Sequence, residues 1–248
     1  MHTIVQQSAG NPQASPAQAI GQKSEMDDFI YLISHDVRAS VRALIELPQW
    51  IEEDLKDEGI LLEGSVATSI DMMNRHAGRL DRMLIDLLTY SRVGRMQETE
   101  LVDIGEILES VLEDLEVPAG FSVTQDLRAL HTMAGQRDIM TLLGALIQNA
   151  IKHHDRASGQ VHVATDQDGA WLRLAVSDDG PGIQPEFNER IFEAMRTLRP
   201  RDEVEGSGMG LTIVRKIATI YGGAASVAHP LFGRGTSIRV TLPAPKTT

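Results

Sequence analysis

Three stretches of the chain combine glycine, amide and charged side chains at spacings that could hold a phosphorylated ligand. Ser177-Asp178-Asp179-Gly180-Pro181-Gly182-Ile183 follows an alternating apolar run, which sets a carboxylate and two glycines in a turn at a strand end. Gly206-Ser207-Gly208-Met209-Gly210-Leu211 opens a helical pattern running through Val214 and Ile217. A glycine loop at a helix start offers unpaired N–H groups and the positive end of the helix dipole to phosphate oxygens. In Leu146-Ile147-Gln148-Asn149-Ala150-Ile151-Lys152-His153-His154-Asp155, Asn149 supplies a carbonyl oxygen suited to magnesium, and Lys152 and His153 supply donors to phosphate. Each stretch alone is also a common turn or a solvent-facing helix end. Other glycine-rich nucleotide sites fit poorly, because no Lys follows Gly210 as a P-loop needs and no βαβ unit carries the glycines as a dinucleotide fold needs.

The elements that must position these groups fall into two regions. A helix is expected from Ser24 as N-cap, with Glu25, Asp27 and Asp28 in its first turn. Its apolar positions Ile30, Ile33, Val37, Val41, Leu44, Leu47, Ile51 and Leu55 make one stripe, and Pro48 should bend it. After a turn within 52–63, Val66, Ile70, Met73, Ala77, Leu80, Leu84, Leu87 and Ser91 repeat as a heptad seam. A lone hairpin cannot bury both stripes, so a second hairpin in a dimeric four-helix bundle is one solution. Packing on the rest of the same chain is the other. Downstream, helices over 102–115 and 137–153 and strands over 121–127, 160–165, 171–177 and 236–242 make an α/β sandwich, with Asp168-Gly169 in a hairpin turn. The long polar segment between Gly180 and Gly210 reads as a lid.

Composition bounds the chemistry. With 23 basic and 35 acidic side chains the net charge is −12, which disfavours nucleic acid and anionic lipid, so no nucleic acid and no membrane insertion are expected. The absence of cysteine excludes disulfides, thiolate-bound metals and thiol catalysis, and is compatible with a cytoplasmic location. No run approaches the roughly 20 apolar residues of a membrane-spanning helix. Residues 1–23, rich in Gln, Ala, Ser, Pro and Gly, read as a flexible tail.

In order along the chain, Asn149-Ala150 with Lys152, Asp178-x-Gly180-x-Gly182, Phe192-Glu193, Gly206-x-Gly208-x-Gly210 and Gly233-x-Gly235-Thr236 resemble the N, G1, F, G2 and G3 boxes of the histidine-kinase ATP-binding domain. Upstream, Phe29-Ile30-Tyr31-Leu32-Ile33-Ser34-His35-Asp36-Val37-Arg38 resembles the H box of its dimerisation and phosphotransfer hairpin. Asp36, the run Leu87-Leu88-Thr89-Tyr90-Ser91-Arg92-Val93-Gly94-Arg95 and Arg199-Pro200-Arg201-Asp202 look like the bacteriophytochrome-type subgroup. The resemblance covers residues 24–243. It implies an α+β chain: a tail over 1–23, a helical hairpin over 24–96 forming a dimeric four-helix bundle, a GHKL (Bergerat) ATP-binding sandwich over 97–245, and a tail over 246–248.

What the resemblance implies for function is an ATP-dependent histidine autokinase of a two-component system. His35 would attack the terminal phosphorus of ATP, Asp36 would accept the other ring N–H, and an aspartate of a response-regulator receiver domain would take the phosphoryl group. Asp178 would accept the adenine amino group, with Gly180 and Gly182 letting the backbone pass close to the base. Asn149 would bind Mg2+, Lys152 and His153 would contact phosphate, and Gly206, Gly208, Gly210 and Thr236 would complete the ATP site under a lid over 187–205. Arg196, Arg199 and Arg201 in that lid are candidates for phosphate or an acidic partner.

Two positions depart from the family pattern. Ala39 lacks the hydroxyl or amide that would position water for dephosphorylating a partner, and Ser40 replaces a proline, leaving Pro48 to bend the helix. With Met1 as the natural start, no input domain accompanies the core, so a signal acts on it directly or through a separate sensor protein in trans. Two other readings keep the same residues: a GHKL-type ATPase or nucleotide-gated interaction module without histidine kinase activity, and a scaffold relaying phosphate between receivers.

Overall fold

The computed structural model describes residues 16–95, 97–198 and 206–246. Two long helices, α1 (Pro16–Asp57) and α2 (Gly64–Arg92), form the N-terminal hairpin. Helix α1 begins eight residues before Ser24, so the expected N-cap and the expected tail over 16–23 are corrected. Proline is tolerated at a first helical position, and Ala17, Gln18 and Ala19 favour helix, so the pattern extends upstream without a cap at Ser24. The helix also runs on through Pro48.

The heptad seam divides in two. Ser34, Val41 and Pro48 on α1, and Ile70, Ala77, Leu84 and Ser91 on α2, are buried at seven-residue steps between the two helices. The alternate positions stay open: Ile33, Val37, Leu44, Leu47 and Ile51 on α1, and Val66, Met73 and Leu80 on α2, are each 41–53% exposed. The hairpin therefore carries a second apolar face along its length. The helices run antiparallel, tied by the Asp28–Arg95 ion pair, by Arg92 stacked 5.5 Å above the Tyr31 ring and by Arg38 and Asp81 at 3.9 Å.

The remainder is an α/β sandwich. Strand β1 (Glu100–Asp103) precedes α3 (Ile104–Asp114), and β2 (Phe121–Leu127) and β3 (His131–Ala134) precede α4 (Gln136–Lys152). Then come β4 (Gly159–Asp168), β5 (Trp171–Asp178), α5 (Gly210–Ile220), β6 (Ala225–Ala228) and β7 (Ser237–Pro243). The main sheet has the order β2-β4-β5-β7-β6, parallel only between β2 and β4, and β1 pairs antiparallel with β3. The expected helix over 102–115 starts two residues late, because Val102 is in β1. The Asp103 carboxylate caps α3, accepting the N–H groups of Gly105 at 2.7 Å and Glu106 at 3.2 Å.

Alternation along the strands sends Val161, Val163, Leu172, Leu174, Val176, Ile238, Val240 and Leu242 inward. Helices α4 and α5 cover that face with Leu142, Leu143, Leu146, Ile147, Val214 and Ile217. Val93, just past α2, belongs to the same core, so the end of the hairpin is anchored in the sandwich. Two further ties fix the junction, and a third bond braces Asp138 within the sandwich. The Lys216 ammonium donates to the Tyr90 carbonyl at 2.6 Å, the Gly94 N–H donates to Asp138 Oδ2 at 2.9 Å, and the Tyr221 hydroxyl donates to the same Oδ2 at 2.8 Å. No helix among the described residues is long and apolar enough to cross a membrane.

Candidate functional site

A cleft of about 680 Å³ opens where α4, the turn after β5 and the start of α5 converge. Asn149, Lys152 and His153 line one wall from α4, Asp178 and Gly182 come from the turn, and Gly206, Gly208, Gly210 and Thr236 come from the other loops. Residues more than 80 positions apart in sequence are thus gathered around one space. Gly180 is the exception. It does not line the cleft, but its N–H donates to Asp178 Oδ1 at 2.9 Å, so it holds the carboxylate that does.

Asp178 is buried at 8% exposure, at the end of β5. Its Oδ1 accepts the N–H groups of Gly180 and of Thr236, the latter at 3.1 Å, which leaves Oδ2 to the cleft. Burial pushes its carboxyl above the ordinary 3.8, against the pull of the Gly180 and Thr236 N–H groups. The Gly235 backbone makes this possible. At φ +89° it crosses so near that a Cβ there would lie 1.8 Å from the Asp178 carbonyl oxygen.

The glycine loop is just as close-fitted. At Gly208, φ is +76° and a Cβ would sit 2.7 Å from the Arg196 carbonyl oxygen, so the loop and the segment before it share van der Waals contact. A Cβ on Gly206 would lie 2.6 Å from Lys152 Nζ, which places that ammonium against the loop. The N-terminal N–H groups of α5 and the Lys152 ammonium therefore converge, and the field there favours an anion. Of the donors expected for a divalent cation, Asn149 offers one neutral carbonyl oxygen on this wall. That suits a magnesium ion whose other ligands are phosphate oxygens and water.

The expected lid is described up to Leu198. Ile191 and Phe192 are buried, and Arg215 lies 4.3 Å above the Phe192 ring while bonding Glu189 at 2.7 Å. The F-box segment is therefore packed on α5. Arg196 lines the cleft and pairs with Glu193 at 3.0 Å, whereas Arg199 and Arg201 lie outside the described residues.

One wall was not legible in the sequence. Arg82, Ile85, Asp86 and Thr89 of α2 close the cleft from the hairpin side, and Asp86 accepts the hydroxyl proton of Ser207. Ser207 Oγ in turn accepts the Met209 N–H at 3.0 Å. Burial raises the Asp86 carboxyl above 3.8, opposed by the Ser207 bond and by Lys152. A lone Asp on a helix carries no signal of such a partner, since the contact spans two independently patterned regions.

His35 and Asp36 are on α1, outside the cleft lining. The imidazole Nδ1 is 3.2 Å from Asp36 Oδ1, and the side chains are 70% and 81% exposed. The helix pairings at Tyr31–Arg92 and Arg38–Asp81 bracket His35, so it stands level with the stretch of α2 that closes the cleft. In the tautomer whose Nδ1–H donates to Asp36, the lone pair is on Nε2.

Comparisons with known proteins agree with this architecture. Residues 134–246 match the family described as histidine kinase-, DNA gyrase B-, and HSP90-like ATPase. The chain is 30% identical over 226 residues to Cyanobacterial phytochrome A of Nostoc sp., covering 89% of this chain and 29% of that protein. It is 26% identical over 237 residues to Histidine protein kinase SaeS of Staphylococcus aureus, covering 89% of this chain and 64% of that one. The chain thus spans under a third of the phytochrome's length. Among solved structures, histidine kinase ThkA in complex with the response regulator protein TrrA superposes with a TM-score of 0.62 at 20% identity, over 92% of this chain and 66% of that one.

Proposed function

We propose that this chain phosphorylates its own His35 from ATP, a reading supported by the match of residues 134–246 to the histidine kinase-, DNA gyrase B-, and HSP90-like ATPase family and by the similarity of the chain to sensor histidine kinase catalytic cores. The observation that carries this reading is the placement of an exposed His35–Asp36 pair level with a cleft whose donors suit a nucleotide.

In the proposed step, His35 Nε2 attacks the terminal phosphorus of ATP. The nitrogen–phosphorus bond forms as the bond to the bridging oxygen breaks, and ADP leaves. The ring becomes cationic, and Asp36 holds its Nδ1 proton and balances that charge. Asp178 Oδ2 accepts the adenine amino group, while Lys152, His153 and the α5 N-terminus hold the phosphates. Asn149 would hold Mg2+, which neutralises phosphate charge and orients the terminal group when bound. Because α2 closes the cleft, the sandwich must swing off Asp86 before the nucleotide meets an imidazole.

The open seam on α1 and α2 fits a second copy of the hairpin, giving a four-helix bundle. The phosphoryl group then passes to an aspartate of a receiver domain in the cytoplasm, where ATP and such domains meet. At Ala39 the hydroxyl or amide that would position water for dephosphorylating a receiver is absent.

The test is incubation with Mg2+ and γ-labelled ATP beside His35→Ala and Asn149→Ala. Acid-labile, base-stable label in the parent alone is expected. Nucleotide binding by a folded dimer with no such label would overturn the kinase reading in favour of a plain ATPase.

A further inference from the structure

Behind the cleft, outside its lining, is a histidine to which no role in the reaction has been given. His154 follows the C-terminal end of α4, two residues after Lys152, and its side chain is only 1% exposed. The Arg156 N–H donates to His154 Nδ1 at 3.0 Å, which fixes the lone pair on that nitrogen. The proton is therefore on Nε2, and it points to Asp179 Oδ1 at 3.1 Å. Asp179 Oδ1 also accepts the Gln160 N–H at 2.6 Å. One buried ring thus ties the end of α4 to the start of β4 and to the turn that carries Asp178.

The surroundings are shaped to this ring. A Cβ at Gly159 would lie 2.6 Å from His154 Nε2, and one at Gly180 would lie 3.2 Å from His154 Cδ2. The edge of the ring meets Phe121 at 5.2 Å with the planes 88° apart. Gly180 in turn supplies the N–H that holds Asp178 Oδ1 at 2.9 Å. A phenyl ring would keep an aromatic side chain here, but it would leave the Arg156 N–H and one bond to Asp179 unmade.

We propose that His154 is a positioning residue for base selection, fixing Asp179 and Gly180 so that the neighbouring Asp178 meets adenine in one orientation. It touches no nucleotide itself. The inference rests on the reading of Asp178 as the adenine acceptor given above. A site built around a buried acceptor discriminates sharply only while that acceptor is held in place, so loosening the turn should cost selectivity before it costs phosphate binding.

The test measures ATP and GTP affinities of the full chain by titration calorimetry, with thermal unfolding run beside it. His154→Phe is expected to lower the ATP-over-GTP preference by about tenfold, and His154→Gln, whose amide can still donate to Asp179, to restore most of it. Asp179→Ala should reproduce the loss and Asp179→Asn should not, which keeps the question answerable where His154→Phe fails to fold. An unchanged preference in folded His154→Phe, or in Asp179→Ala, overturns the proposal. Asp178→Ala separates the two readings: if it keeps the ATP preference, the adenine reading itself is wrong, whatever His154 does.

Discussion

Asp86 on α2 accepts the hydroxyl proton of Ser207 in the glycine loop, so the hairpin holds the loop that would hold phosphate. The carboxylate thereby forms part of the cleft wall beside that loop.

Ser207→Ala removes the hydroxyl that donates to the half-buried Asp86 carboxylate and the acceptor of the Met209 N–H together. The expected cost is about 1–3 kcal/mol in urea unfolding, with faster amide exchange at Met209. Asp86→Asn keeps an acceptor and relieves the burial of charge, so its stability should equal or exceed that of the parent.

ATP affinity should weaken on mild acidification. The Asp178 carboxyl is raised above 3.8 by burial, and protonation of Oδ2 would put a donor where the proposed adenine contact needs an acceptor. Affinity therefore falls as pH drops through this raised value, earlier than an exposed aspartate would dictate, and Asp178→Asn should flatten the profile in calorimetric titrations. The stability signs are opposite for the two neighbours. The contribution of Asp178 to folding is present below 3.8 and lost as pH rises through its raised value. Asp179 is held below 3.8, first by the Gln160 N–H, so its contribution is present above 3.8 and lost as pH falls through its lowered value.

Gly235→Ala should disable the site. Its Cβ would lie 1.8 Å from the Asp178 carbonyl oxygen at φ +89°, and a loss of about 2–4 kcal/mol with loss of ATP binding is expected. Gly169→Ala is the control. At φ +59° with nothing within 4 Å of the added atom, it should cost about 1–2 kcal/mol of backbone strain and leave ATP binding intact. Thermal melts and nucleotide titrations on both variants check the contrast.

Tyr221→Phe should weaken the junction between hairpin and sandwich. The hydroxyl accepts the Gly135 N–H at 2.8 Å and donates to Asp138, whose Oδ2 also holds Gly94. Removing it leaves two buried groups short of a partner, at about 1–3 kcal/mol in urea unfolding. Burial and Asp138 push the phenol from 10.0 up to about 12. The stability it supplies is therefore present below 10.0 and lost as pH rises through about 12, a dependence that Tyr221→Phe should lack.

The two helical stripes, the inward faces of β4, β5 and β7, and the order of the glycine loops are legible in the chain, because each follows from a period or a turn chemistry contained in a few adjacent residues. The resemblance of the glycine and amide motifs to one family grouped Asn149, Lys152, His153, Asp178, Gly182, Gly206, Gly208, Gly210 and Thr236, all of which line one cleft, whereas Gly180 does not. The short strands β1, β3 and β6 were not legible, because four residues are too few to show a period. The start of α1 is not legible either, since propensity carries the helix past a plausible cap.

Tertiary structure alone decided which half of each seam is buried within the hairpin and which half is left open. It also set Asp86 on Ser207, 121 residues away, and His154 on Asp179, 25 residues away. Such pairs join elements whose local patterns are independent, and a hydrogen bond between them exists only once packing has brought both ends to the same place.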